Sequence, residues 1–370
     1  MASPCLIAFL VFLCAIVSCC SDNPIDSCWR GDSNWGQNRM KLADCAVGFG
    51  SSTMGGKGGD FYTVTSADDN PVNPTPGTLR YGATREKALW IIFSQNMNIK
   101  LKMPLYVAGH KTIDGRGADV HLGNGGPCLF MRKVSHVILH GLHIHGCNTS
   151  VLGDVLVSES IGVVPVHPQD GDAFTVRTSE HIWVDHNTLS NGTDGLVDVT
   201  LASTAVTISN NHFFDHDEVM LLGHSDSFSD DKVMKVTVAF NHFGPNCVQR
   251  LPRARYGHFH VVNNNYEPWG KYAIGGSSDP TIISEGNRFL APNESYKKEV
   301  TIRVGCKSTS CDAWEWRSKD DAFLNGAYFV QSGKGYNGGE AFKVESANEV
   351  PTLTKHAGAL KCIPTKQCVI

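Results

Sequence analysis

Four six-residue stretches in the middle of the chain share one order of side chains. They are VDHNTL at 184–189, ISNNHF at 208–213, VAFNHF at 238–243 and VVNNNY at 261–266. Each opens on a β-branched residue, places Asn three positions on, and sets an apolar or aromatic residue two beyond that. The Asn positions are Asn187, Asn211, Asn241, Asn264 and, less cleanly, Asn287, with steps of 24, 30, 23 and 23. HVILHGLHI at 136–144 lies 45 residues before the similar HIWVDHNTL at 181–189, close to two such steps. A period near 23 is too long for a hairpin ladder and too short for a strand–helix–strand unit. It fits one coil of a β-solenoid, with short strands joined by turns. Equivalent Asn residues then stack, and their amides bond up and down the ladder.

Between the repeats the strands are short, rich in Val, Ile and Thr, and bounded by Gly, Asn and Asp. A leucine-rich repeat has a similar period, but its Leu framework is missing. Few stretches show helical periodicity. Residues 40–47 are expected to hold a short helix at the capping end of the solenoid. Residues 67–77 read as a loop, and LRYGATREKALWIIF after it resumes the strand pattern. From about Pro292 the repeat fades, and 306–370 are expected to be loops and a tail packed on the solenoid. No linker divides the chain, so one domain is expected over 22–370.

Composition narrows the classes. The chain has 370 residues, 18% charged and 41% hydrophobic, which excludes disorder. Its 37 Gly are not periodic, which excludes collagen. A net charge of −4 argues against nucleic acid held by bulk positive charge. Residues 1–21 carry no charged side chain, and the apolar run at 6–17 is shorter than the ~20 residues of a membrane span. That segment reads as a signal peptide cleaved near Asp22, with a signal anchor as the competing reading. A secreted protein, free of membrane after cleavage and monomeric, is expected.

Of thirteen Cys, nine remain beyond the leader. An oxidising compartment favours disulfides. Proximity suggests Cys28–Cys45, Cys128–Cys147, Cys306–Cys311 and Cys362–Cys368, leaving Cys247 alone, although spacing does not fix connectivity. No CxxC occurs, so a zinc finger is disfavoured. Asn148, Asn191 and Asn293 head glycosylation sequons and are expected in surface loops.

Stacking at ~23 residues brings side chains at matching offsets together. Asp170 and Asp172 flank Gly171; Asp194 and Asp198 lie in TDGLVDV; Asp170 and Asp194 are 24 apart, facing each other from adjacent coils. Asp-Gly pairs are also ordinary turn residues. A carboxylate cluster needs a cation, and oxygen-only donors favour Ca²⁺ over zinc. QRLPRARYG at 249–257 supplies Arg250, Arg253 and Arg255, the first 52 residues after Asp198. Such runs are often plain solvated basic patches. Beside a carboxylate-bound cation, the strip suits a polyanion bearing carboxylates.

TIDGRG (112–117), QDGDA (169–173), IWVDHN (182–187), DGLVDVT (194–200), VTISNNHF (206–213), VMLLGHSD (219–226) and QRLPRARYG resemble plant pectate lyases of polysaccharide lyase family 1. The N-terminal stretch from Ser21 to Gly59 is closer still to the branch containing the major cedar and cypress pollen allergens. The resemblance covers essentially the whole chain after the leader. It implies a right-handed parallel β-helix, and Ca²⁺-dependent β-elimination of (1→4)-α-D-galacturonan in the plant cell wall. Asp170, Asp194 and Asp198 match calcium ligands, and Asp172 matches a further ligand of bacterial relatives. Arg250 matches the proton-abstracting base, and Arg255 a binder of substrate carboxylate. Arg253 is expected to help it. IWVDHN is read as scaffold. Glu218 stands where bacterial members carry Lys.

Two rivals share much of this pattern. A polygalacturonate hydrolase would use two carboxyl groups as acid and base. A pectin-binding wall protein or allergen would keep the fold without turnover. No GxSxG and no P-loop occurs, and GGKGG at 55–59 lacks the nucleotide-binding spacing.

Overall fold

The computed structural model describes residues 23–306, 310–335 and 342–368. The signal-peptide assignment to 1–21 lies outside the described residues. The chain winds into coils whose strands form three parallel sheets. The first has ten strands, from Asp60–Val64 to Trp316–Lys319; the second has eight, from Leu105–Tyr106 to Thr301–Arg303; the third has nine, from Met97–Ile99 to Ala322–Leu324. Each coil contributes one strand to each sheet in turn, giving a right-handed parallel β-helix. Side chains alternate inward and outward along each strand. The inward set, such as Val184, Ile208, Val238 and Val261, forms one continuous apolar core.

The Asn repeat is the ladder that joins the first sheet to the third. The Asn187 amide donates to Asn211 Oδ1 at 3.1 Å, Asn211 to Asn241 at 3.1 Å, Asn241 to Asn264 at 3.0 Å and Asn264 to Asn287 at 3.0 Å. Each Oδ1 also accepts the backbone N–H of the Asn one coil earlier, as in Asn187 N to Asn211 at 2.9 Å. The corner therefore leaves no buried amide unpaired. Two residues on, Phe213, Phe243, Tyr266, Phe289 and Phe323 stack with centroids 4.5–5.7 Å apart.

Several expectations need correction. The 45-residue gap is one coil, not two: Ile138 pairs directly with Trp183. The surplus residues leave the coil and form an antiparallel hairpin, Gly153–Ser158 with Gly162–Val166. The repeat also runs past Pro292. Trp316–Lys319 and Ala322–Leu324 add a further rung, and Asp321 takes the Asn place, accepting from Asn287 at 3.1 Å.

LRYGATREKALWIIF is only partly strand. Thr78 caps a helix at Leu79–Ala83, and Leu89–Phe93 follows as strand. Leu79 and Ala83 join the interior core, so this helix closes the coil's open end. Residues 40–47 hold a 3-10 turn, Arg39–Asp44, but on the flank of the solenoid. That turn, the helix Pro24–Trp29 and the C-terminal Leu353 and Leu360 pack over Trp90, Ile138 and Trp183 on the first sheet's outer face. They cover apolar residues that would otherwise face water.

Among the described residues there are four disulfides, Cys28–Cys45, Cys128–Cys147, Cys306–Cys311 and Cys362–Cys368, the pairs that proximity suggested. Cys247 is buried and free, its thiol donating to the Phe213 carbonyl at 3.4 Å. Burial pushes that thiol far above its ordinary range, so it is unreactive.

Candidate active site

The site lies on the outward face of the second sheet. Register places one outward residue per rung in a single column: Tyr106, Phe130, Thr175, Asp198, Leu221, Arg253 and Gly275. A parallel column two residues on holds Arg132, Arg177 and Thr200, and Arg255 and Ser277 further along. This parity puts Asp198 and Arg253 on one surface, because the residues between them, such as Val197, Val199 and Ala254, point into the core.

Asp170 and Asp172 precede the strand Phe174–Arg177, and Asp194 precedes Val197–Thr200 on the next rung. Asp172 is buried; its oxygens accept Thr175 Oγ1 at 2.8 Å and the Gly195 N–H at 2.9 Å. Gly195 is needed there. A Cβ at that position would lie 2.5 Å from Asp198 Oδ1 and 3.2 Å from Asp172 Oδ1. The two carboxylates thus border the same small space.

Their electrostatics follow from that crowding. Burial first, then the charges of Asp170 and Asp194, push Asp172 up to about 6. Burial and the charges of Asp172 and Asp194 hold Asp198 well above the carboxylate range. Asp194 is raised by burial, Asp170 and Glu218, while Arg250 opposes. The acids of these two rungs therefore crowd one region, and the Arg250 charge opposes their repulsion at Asp194 and Asp198. A set of mutually repelling carboxylate oxygens is the donor chemistry of a hard divalent cation. These residues fit Ca²⁺.

The arginines differ among themselves. Arg250 has φ +60°, sits before a cis Leu251–Pro252 bond, and gives Nη2 to Glu218 Oε1 at 2.6 Å. Its buried Nε has no partner. Arg253, in the Asp198 column, also has an unpartnered Nε. Burial and then the Arg255 charge lower its affinity for its proton. Arg255 is already engaged: Nε donates to Asp226 at 3.0 Å, and Nη1 to the Gly223 carbonyl at 2.9 Å.

Arg132 and Arg177 were missed in the sequence. They lie on the same face as the acids, with Arg177 over the Phe130 ring at 5.1 Å. Arg132 lies one rung before the acids and Arg177 on the rung of Asp170 and Asp172, whereas Arg253 lies two rungs after Asp198. Arg132, Arg177 and Gln169 line a cleft of about 890 Å³ walled by the hairpin. Only strand register reveals this parity, since the inserted hairpin obscures the spacing. Asp185, His186 and Asn187 lie elsewhere. Asp185 accepts His140 and Ser209 at 2.9 and 2.7 Å, and His186 binds Asp26 at 2.7 Å, so they hold the scaffold. Asn148, Asn191 and Asn293 are all exposed.

Residues 45–313 match the family model described as pectate lyase. The chain belongs to the pectate lyase family. It is 81% identical to pectate lyase 1 of Juniperus virginiana over 97% of this chain and all of that one. It is 50% identical to a pectate lyase of Zinnia elegans, covering 95% of this chain and 88% of that protein. The crystal structure of the major allergen from cedar pollen superposes with a TM-score of 0.90 at 78% identity, over 92% of this chain and 100% of that one. A Xanthomonas campestris pectate lyase superposes at 0.60 with 17% identity, over 86% of this chain and 99% of that one, which shows the shared fold. Within this pectate lyase family member, the acidic cluster and the arginine strip lie on one face of the β-helix.

Proposed function

We propose that this chain is a secreted, calcium-dependent pectate lyase of the plant cell wall, cleaving (1→4)-α-D-galacturonan by β-elimination. The observation that carries this reading is the placement of Asp170, Asp172, Asp194 and Asp198 on two adjacent rungs, with the Asp172 and Asp198 carboxylates bordering one space beside Gly195. Asp170, Asp194 and Asp198, with Asp172 behind them, would hold the ion. A calcium ion held by these residues would supply positive charge against the negative charge that develops on the C6 carboxylate.

The chain's own groups do the rest. Arg253 and Arg255, with Arg132 and Arg177 on earlier rungs, bind carboxylates of neighbouring sugar units. Arg250, reacting from its neutral guanidine form, takes the C5 proton and becomes the guanidinium. The C–H electron pair becomes the C4–C5 double bond as the C4–O bond breaks. The departing oxygen takes a proton from solvent, and no water attacks carbon. The product is a 4,5-unsaturated galacturonosyl end.

Glu218 favours a second reading, a weakly active pectin binder, because it ties up the group that must accept the proton. The test is ultraviolet absorbance on polygalacturonate. Growth with Ca²⁺ that chelator abolishes supports the lyase. Pectate binding without absorbance growth supports the binder. Chain cleavage without absorbance growth supports a hydrolase.

A further inference from the structure

A second cluster of ligating side chains lies well away from the acidic face. It sits on the outer surface of the third sheet. His121, in the strand Val120–Gly123, pairs in register with His143, in His143–His145. Both face outward, because Val120, Leu122 and Ile144 fill the interior. Asp119 stands at the start of the first of these strands. Its Oδ1 lies 3.1 Å from His121 Nε2 and 3.3 Å from His143 Nε2. One donor atom from each of the three lies within 4.8 Å of the others.

From this geometry we infer that Asp119, His121 and His143 form a binding site for a borderline divalent metal, with Zn²⁺ the best-suited ion. The spacing is the first argument. A tetrahedral ion with ligand bonds of about 2.0–2.1 Å has neighbouring donors about 3.3 Å apart. The Asp119–His121 and Asp119–His143 separations match that edge, and the two rings, stacked with centroids 4.5 Å apart, would turn to aim both Nε2 lone pairs at one ion. Two imidazoles and one carboxylate are ligands for zinc or copper rather than for calcium. Three protein ligands leave one position for solvent. Asp119 and His143 also border a cavity of about 290 Å³ with Asn96, Ala359, Lys361 and Ile363, which leaves space for solvent on one side of the three residues.

The surroundings of His121 are the second argument. Its Nδ1 lies 2.9 Å from His145 Nε2, and His145 Nδ1 lies 3.3 Å from the Asn124 amide. Without metal, His145 Nε2–H donates to His121 Nδ1, and His121 Nε2–H donates to Asp119. With metal, His121 Nδ1–H donates to His145, and a turned Asn124 amide accepts His145 Nδ1–H. His121 Nε2 then offers its lone pair. The number of protons is unchanged, and both rings stay neutral. A partner on the far nitrogen is the usual means of fixing a metal-binding imidazole. Lys361 adds a positive charge near His143 and limits affinity.

The test is calorimetric titration of the full secreted chain with ZnCl₂ at neutral pH, with Ca²⁺ saturating the carboxylate cluster. One zinc should bind per chain. His121→Ala and His143→Ala should each weaken it more than tenfold, and His145→Ala by less. Co²⁺ gives a second readout that does not depend on those variants folding. The unaltered protein should show intense visible bands of a four-coordinate ion, and Asp119→Asn, at an exposed position, should remove them. Zinc binding unchanged in both His variants, or Co²⁺ bands unchanged in Asp119→Asn, would overturn the assignment.

Discussion

Glu218 Oε1 accepts the Arg250 guanidinium at 2.6 Å, so the group assigned to take the C5 proton is held by a carboxylate of its own chain. Both side chains are partly exposed, which limits the pair to about 1 kcal/mol. Glu218→Gln should free Arg250 and raise kcat on polygalacturonate by about fivefold. The same change removes a negative charge facing Asp194 and should weaken Ca²⁺ binding slightly. Steady-state absorbance across a Ca²⁺ series separates the two effects. A drop in kcat would show instead that Glu218 positions Arg250 productively.

Asp172 predicts a pH dependence of stability. Its carboxyl is pushed up to about 6, above the value near 4 of an unfolded chain. The folded state then holds the proton more tightly. Without metal, stability is fully retained below pH 4, falls as pH rises through 4 to 6, and stays low above that. The loss from this group is on the order of 2–3 kcal/mol. Asp172→Asn should flatten that part of the profile. Bound Ca²⁺ should reverse the loss at pH 7, and its affinity should fall as pH drops below 6. Thermal unfolding between pH 4 and 8, with and without Ca²⁺, reads all three.

The Asn ladder is the main polar element of the interior. Asn211 donates to the Val184 carbonyl at 3.0 Å and to Asn241, and accepts both N–H groups of Asn187. Asn211→Leu would leave those buried partners unpaired. A loss of about 2–5 kcal/mol is expected, measured as a lower denaturant midpoint. A neutral result would mean that the stack is held by packing alone.

Arg177 lies on the face proposed to bind substrate but away from Arg250. Arg177→Ala should raise KM several-fold with little change in kcat, because a surface charge contact is worth up to about 1 kcal/mol. A fall in kcat at constant KM would place this residue at the reacting centre.

The solenoid was readable because buried amides must be paired, which forces Asn to recur at each coil. Asp170 and Asp194 keep the coil spacing, and they precede strands that pair on adjacent rungs. What the spacing hid was produced by insertion and by packing. The hairpin at 153–166 doubled one interval, so 45 residues looked like two coils. Leu79–Ala83 has the apolar content of a strand, and tertiary closure of the open end makes it a helix. Arg132 and Arg177 are unremarkable in sequence, and only the register with Asp198 brings them to the site. The Glu218–Arg250 pair joins residues 32 apart: Glu218 ends one strand of a small side sheet, and Arg250 directly follows its neighbour, Cys247–Gln249.

The most direct test of one shared site uses Asp198→Asn and Arg250→Ala beside the unaltered protein, in ultraviolet absorbance assays on polygalacturonate with Ca²⁺. The unaltered chain should generate absorbance that chelator abolishes. Asp198→Asn should need far more Ca²⁺, and Arg250→Ala should bind Ca²⁺ and pectate normally yet lose at least a hundredfold in rate. Equal rates for all three proteins, or full activity in chelator, would contradict a lyase site built from these acids and this arginine.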